Sequence, residues 1–107
     1  MTTRAMTTRA TRSAALADKA AEAARLLEAL ANPRRLATLC RLAQGERTVG
    51  ELAAAEGLSL SALSQHLGKL REEGLVTTRR EGQTIHYRLA DPRVRKIIEV
   101  LHREFCS

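Results

Sequence analysis

The sequence is poor in aromatic residues: it has no tryptophan, and Tyr87 and Phe105 are its one tyrosine and one phenylalanine. A packed interior must therefore come from Leu, Ala, Val and Ile, which suits small helices packed on one another. The same scarcity argues against single-stranded nucleic acid as a partner, because proteins of that kind stack bases on exposed aromatic rings. Cysteine is nearly as rare. Cys40 and Cys106 are too few for a disulfide scaffold and too far apart for the paired clusters of a structural zinc site. No run approaches the ~18 to 20 apolar residues that span a membrane, and no apolar stretch with a cleavage site opens the chain. A cytoplasmic location without a membrane partner is expected, and there a permanent structural disulfide is disfavoured. No Cys-x-x-Cys motif, Ser/His/Asp pattern or phosphate loop is present, so neither an enzyme nor a cofactor is expected.

Positive charge is abundant. Lys and Arg number 18 against 12 Asp and Glu, for a formal net charge of +6 and an isoelectric point near 10.3. Such a balance points to a polyanionic partner, since neutralising phosphates is the sequence-independent part of nucleic-acid binding. The 107 residues fit one domain. So short a chain buries a modest core, and further burial in a dimer would stabilise it.

Residues 1–12 contain a short duplication, Met1-Thr-Thr-Arg-Ala followed by Met6-Thr-Thr-Arg-Ala, and carry Arg4, Arg9 and Arg12 without an acid. They read as a disordered basic tail, with residues 13–107 forming the folded domain. From Ser13 to Leu30, Leu16, Ala20, Ala23, Leu27 and Leu30 recur at helical spacing. Asn32-Pro33 breaks that helix and starts a second, on which Leu36, Leu39, Cys40 and Ala43 share a face until Gly45. Thr48 caps a third helix over Val49–Glu56, and Glu51 completes a capping box. Leu52, Ala53 and Ala55 supply its apolar contacts. After Gly57 a fourth helix runs from Ser61 to Glu73, burying Leu63, Leu67 and Leu70, with Gly74 as its stop.

The period then shortens to that of strands. Val76 to Arg80, a turn at Glu81-Gly82, and Gln83 to Leu89 read as a β-hairpin. Asp91-Pro92 opens a last helix with a stripe of Val94, Ile97, Ile98, Leu101 and Phe105. The order α-α-α-α-β-β-α predicts a mainly α fold with a β-hairpin wing, a winged helix-turn-helix.

Two helices around Gly57, the second with polar outward positions, form a helix-turn-helix signature. The second helix of such a pair enters the major groove of double-stranded DNA. Ser59, Ser61, Ser64, Gln65 and His66 have the length and hydrogen-bonding capacity to read base edges, while Lys69 and Arg71 suit phosphates. In the hairpin Arg79, Arg80, Arg88 and Gln83 make up a basic wing, with Arg79 or Arg80 in a minor groove or on the backbone. A sequence-indifferent architectural protein is the competing reading, for which that polar set would be unnecessary. Cys40, on an apolar helix face, and Cys106, next to last, read on spacing alone as inert thiols.

The segments Leu27-Glu-Ala-Leu-Ala-Asn-Pro-Arg-Arg-Leu36, Gly50-Glu-Leu52, Leu63-Ser-Gln-His-Leu67, Leu70-Arg-Glu-Glu-Gly-Leu-Val76 and His86-Tyr-Arg-Leu89 together resemble the ArsR family of bacterial repressors. The resemblance covers nearly the whole chain after the tail. It implies a homodimer built largely from the first and last helices, with Leu16, Ala20, Ala23, Leu27, Val94, Ile97, Ile98, Leu101 and Phe105 at the interface. It also implies release from operator DNA by an inducer. Where metal-sensing members place a Cys-x-Cys pair, this chain has Thr48 and Gly50. Where others place Asp-x-His and a distant His, it has Asp91, Arg93 and Glu104. An arginine has no usable lone pair, so no metal site is expected there. The two remaining thiols resemble the sulfide-responsive branch, which implies that Cys40 and Cys106 are redox-sensing and become bridged by a persulfide or polysulfide inducer. Arg41 beside Cys40, and His102 and Arg103 near Cys106, are cations that could lower the thiol pKa values if they point that way, which sequence does not show. Another oxidant, or a thiophilic metal held by the same cysteines and His102, is the alternative.

Overall fold

The computed structural model describes residues 14–106, so the basic tail of residues 1–12 lies outside the described residues. The chain falls into two units, one ending at Asn32 and the other beginning at Pro33.

In the first unit, residues 14–18 are helical and α1 spans Ala20–Leu30. The single helix expected over this region is interrupted at Lys19, whose amide turns to the Leu16 carbonyl at 3.0 Å, three residues back. A one-residue break leaves the apolar spacing intact, so periodicity does not register it. Leu16 and Leu27 stay 64% and 55% exposed, while Ala29 and Leu30 are buried.

The second unit runs α2 (Pro33–Ala43), β1 (Arg47–Thr48), α3 (Val49–Glu56), α4 (Leu60–Glu72), β2 (Val76–Glu81), β3 (Thr84–Leu89) and α5 (Pro92–Cys106). Pro33 takes the first helical position of α2, where its missing N–H costs nothing. Thr48 and Glu51 form the expected capping box, each accepting the other's backbone N–H, at 3.1 and 3.0 Å. Gly57 closes α3 at φ 65°, a left-handed turn that any side chain would strain. The Ser59 hydroxyl then caps α4 by accepting from the Ala62 amide at 3.1 Å.

The strands form one antiparallel sheet in the order β1-β3-β2. Strand β1 is an addition to the expected two-stranded hairpin: Arg47 pairs with Tyr87 and Thr48 with His86. Two residues are too short a run to show a strand's alternation. The hairpin turn also lies one residue later than expected. Glu81 pairs with Thr84, which leaves Gly82-Gln83 as the loop. Gly82 carries φ 63°, and among the described residues only glycines have positive φ, so Gln83 does not; that is the pattern of a type II′ turn.

The core is aliphatic. Leu39, Leu42, Leu52, Leu63, Leu67, Leu70 and Val94 are at most 1% exposed, with Leu75, Val76 and Ile98 close behind. Each such leucine contributes roughly 1.5 to 3 kcal/mol by leaving water. The Leu63, Leu67, Leu70 stripe is buried as expected. On α2 the buried face is turned: Thr38, Leu39 and Leu42 are buried, while Leu36, Cys40 and Ala43 are only half-buried. Ala55, expected to pack, is exposed. Val94 and Ile98, expected at a dimer interface, are spent in the core of the chain. The apolar surface that α5 leaves open is Val100 and Phe105, the latter 82% exposed, with Ile97 and Leu101 half-covered.

Candidate nucleic-acid interface and thiol pair

Helix α4 is anchored on one side by its three buried leucines. The opposite side is therefore fixed outward: Ser61, Ser64, Gln65, Gly68 and Lys69 are exposed, as is Ser59 at the cap. These side chains present hydroxyl, amide and ammonium groups on one convex face, with the donors and acceptors that base edges and phosphates pair with. Ser59 and Ser61 lie 3.4 Å apart through their hydroxyl oxygens.

His66 departs from the expectation. Its ring is half-buried, and Nε2 is shut from solvent without a hydrogen-bond partner among the described residues. Burial holds its pKa below the ordinary imidazole value; the Glu56 carboxylate pulls the other way and Arg35 adds to the lowering. His66 therefore faces the interior of the helix-turn-helix rather than a groove. Leu60, which spacing places on the leucine stripe, is 59% exposed because it stands at the end of the helix.

In the wing, Arg80, Gln83 and Arg88 are exposed. Arg80 Nε donates to the Gly82 carbonyl at 3.0 Å, a neutral acceptor that leaves the cation uncompensated. Arg79 is held between two carboxylates, 2.9 Å from Glu46 and 2.8 Å from Glu81. Those contacts push its pKa up and hold the Glu46 and Glu81 carboxyls below their usual values. Its charge is engaged within the protein, so of the two arginines expected at DNA only Arg80 presents a surplus positive charge.

The two cysteines are free. Cys40 stands on α2 and Cys106 on the last turn of α5, helices that pack on each other. Cys40 is half-buried and Cys106 exposed. Burial pushes the Cys40 thiol up, the nearby Cys106 adds to the rise, and Arg41 opposes it. Arg41 thus acts in the expected direction but is outweighed by desolvation. Asp91 is fully engaged by Arg93, whose Nη2 donates at 2.7 Å and Nε at 3.0 Å. Among the described residues no group of three or more His, Cys, Asp or Glu side chains is placed to hold a metal ion.

Residues 32–78 match the family model described as bacterial regulatory protein, arsR family. The chain is also 53% identical over 87 residues to the transcriptional activator HlyU of Vibrio cholerae, covering 81% of each. The chain belongs to the ArsR family. Among solved structures, the transcriptional repressor BigR from Xylella fastidiosa matches with a TM-score of 0.82 at 40% identity, over 89% of this chain and 97% of that one. A homodimeric winged helix-turn-helix DNA-binding domain from Mycobacterium bovis matches with a TM-score of 0.69 at 43% identity, over 87% and 83%. This ArsR-family chain is accordingly a winged helix-turn-helix, DNA-binding transcriptional regulator, and its relatives are regulators rather than enzymes. No helix of the described residues is long and apolar enough to cross a membrane.

Proposed function

We propose that this regulator is a homodimeric repressor that binds operator DNA while Cys40 and Cys106 are reduced, and releases it when a polysulfide bridges them within one subunit. The observation that carries the reading is that two thiols far apart in sequence stand on helices packed against each other, α2 and α5, with Cys106 near enough to help raise the Cys40 pKa. Exposed Leu16, Leu27, Val100 and Phe105 supply apolar surface for a second copy, and the similar Mycobacterium bovis domain is homodimeric. The similar Xylella fastidiosa protein is a repressor. Ser59, Ser61, Ser64, Gln65 and Lys69 read the operator, and Arg80 and Gln83 contact the adjoining backbone or minor groove.

The chemistry balances without a cofactor. The exposed Cys106 thiolate attacks a sulfane sulfur of a hydrogen polysulfide and expels hydrosulfide, leaving Cys106 with a chain of added sulfur. The Cys40 thiolate then attacks that chain next to its terminal sulfur and expels a second hydrosulfide. With trisulfane as the polysulfide, two thiols and one trisulfane give one trisulfide bridge and two molecules of hydrogen sulfide; the thiols are oxidised, the two terminal sulfurs of the trisulfane are reduced, and its central sulfane sulfur is kept in the bridge. A direct disulfide needs Cα atoms about 4.4 to 6.8 Å apart, whereas a longer sulfur chain tolerates a wider gap.

The test measures operator affinity of the reduced protein before and after polysulfide, peroxide, glutathione disulfide and zinc, with intact-mass analysis. Release accompanied by a gain of sulfur, and lost in Cys40→Ser or Cys106→Ser, is the expected result. Release by zinc alone would sink the reading.

A further inference from the structure

Helix α2 carries a polar row at Arg35, Thr38 and Arg41, spaced three apart and so on one face. Each of these side chains reaches the helix-turn-helix. Arg35 Nη1 lies 3.1 Å from Glu73, the cap residue that follows α4. The Thr38 hydroxyl, fully buried, lies 2.9 Å from both carboxylate oxygens of Glu56 and also 3.1 Å from the Arg34 carbonyl. Arg41 Nε lies 4.0 Å from Glu56 Oε2, and its Nη2 meets the Ala55 carbonyl at 3.5 Å.

Glu56 is the centre of this arrangement. Its side chain is 7% exposed, and a carboxylate buried to that degree must be hydrogen-bonded or paired to be tolerated. It is the last residue of α3, directly before the left-handed Gly57 that aims α4. Its charge is also felt by His66, the half-buried imidazole of α4. One side chain therefore contacts α2, sits at the turn before the recognition helix, and acts electrostatically on that helix's His66. The helix it holds is also the one that bears Cys40, adjacent to Arg41 and two residues from Thr38.

We propose that Glu56 is a positioning residue that locks α2 to the recognition helix, so that displacing α2 at Cys40 shifts the turn before α4. The lock stands on the contacts above; the trigger rests on the thiol-bridging reading. Pulling Cys40 towards Cys106 moves the α2 turn carrying Thr38 and Arg41, and Glu56 must either follow or lose its partners. Because a buried unpartnered carboxylate is costly, it follows, and Gly57 and α4 move with it.

The experiment uses the full-length reduced protein, an operator duplex selected with it from random-sequence DNA, and a scrambled duplex. Thr38→Val removes the donor at constant size, and Glu56→Gln keeps the acceptor while removing the charge. In the reduced state both are expected to lower the operator-to-scrambled affinity ratio by about fivefold or more, within the usual range of coupling between sites. Melting temperature serves as the folding control. After sodium tetrasulfide, Glu56→Gln is expected to show the same bridged mass as the parent, while its fold-loss of operator affinity shrinks to about a third or less. Ratios equal to the parent's in both variants would overturn the lock, whatever the thiols do. An unchanged fold-loss in bridged Glu56→Gln would overturn the trigger alone. A bridged parent that holds its operator undiminished would instead refute the thiol-bridging reading, leaving the lock to be judged by the reduced-state ratios.

Discussion

Arg79 of the wing stands 2.9 Å from Glu46 and 2.8 Å from Glu81, so a cation that sequence assigns to DNA is bound inside its own protein. Among the described residues Arg80, its neighbour, donates to the Gly82 carbonyl and to no carboxylate. The consequence is a difference between adjacent arginines. Arg80→Ala should weaken binding to all sequences about equally and reduce the salt slope by about 1. Arg79→Ala should move that slope much less. Titrations of both variants at several salt concentrations check this, and equal slope changes would contradict it.

The recognition helix offers a second contrast. Gln65 is exposed and its amide can bond bidentately to an adenine edge. Gln65→Ala should cost ~1 to 3 kcal/mol on the operator and relax specificity. Lys69→Ala should weaken operator and random DNA alike. Equal losses on both duplexes for Gln65→Ala would remove it from the reading face.

The leucine stripe that aims those side chains is a stability matter. Leu63 is wholly buried. Leu63→Ala should destabilise the protein by about 2 to 5 kcal/mol, through lost transfer energy and the cavity left behind. Urea denaturation measures this directly, and a loss under about 1 kcal/mol would mean the helix is anchored elsewhere.

Acid should act in two stages. Burial holds His66 below its ordinary value, so as pH falls below about 6.5 the unfolded chain takes up its proton first and stability declines. Glu46, Glu51, Glu81 and Asp91 are all held low: Arg79 bonds Glu46 and Glu81, the Thr48 backbone and hydroxyl bond Glu51, and Arg93 bonds Asp91. Their contribution is present above the ordinary carboxylate value of about 4 and is lost as pH falls from there through their lowered values. Urea midpoints across pH 8 to 3 should show both declines, and His66→Gln should remove only the first.

The thiols should differ in reactivity. Cys106 is exposed, whereas Cys40 is half-buried with its pKa pushed up chiefly by burial. Near neutral pH, iodoacetamide should modify Cys106 at least about tenfold faster than Cys40, because the thiolate and its access set the rate. Peptide mass spectrometry over a time course follows both sites; comparable rates would contradict the order of attack proposed for polysulfide, and faster Cys40 modification would reverse it.

Much of this molecule is legible along the chain. The Thr48-Glu51 box, Gly57, the Leu63-Leu67-Leu70 stripe and the Gly82 hairpin are local patterns. A helix or strand sets its own faces by its period, so the outward direction of Ser61, Ser64, Gln65 and Lys69 follows from the leucines opposite. The family likewise follows from short segments read in order. What period does not encode is which distant side chain an outward residue meets. Arg79 finds Glu46 because β1 joins the sheet, and two residues of β1 carry too little pattern to announce it. His66 is half-buried beside charges of α2 and Glu56, which its place on the helix does not reveal. Val94 is core rather than interface because the packed chain covers it completely. Sequence by itself determined the helix-turn-helix and its basic wing, since local spacing and capping suffice for those. Only the tertiary structure decided which charges stay available, that Glu56 meets Thr38 and Arg41 of α2, and that Cys40 and Cys106 stand on helices packed against each other. Those are relations between segments distant in the chain, brought together by the burial of the leucines between them.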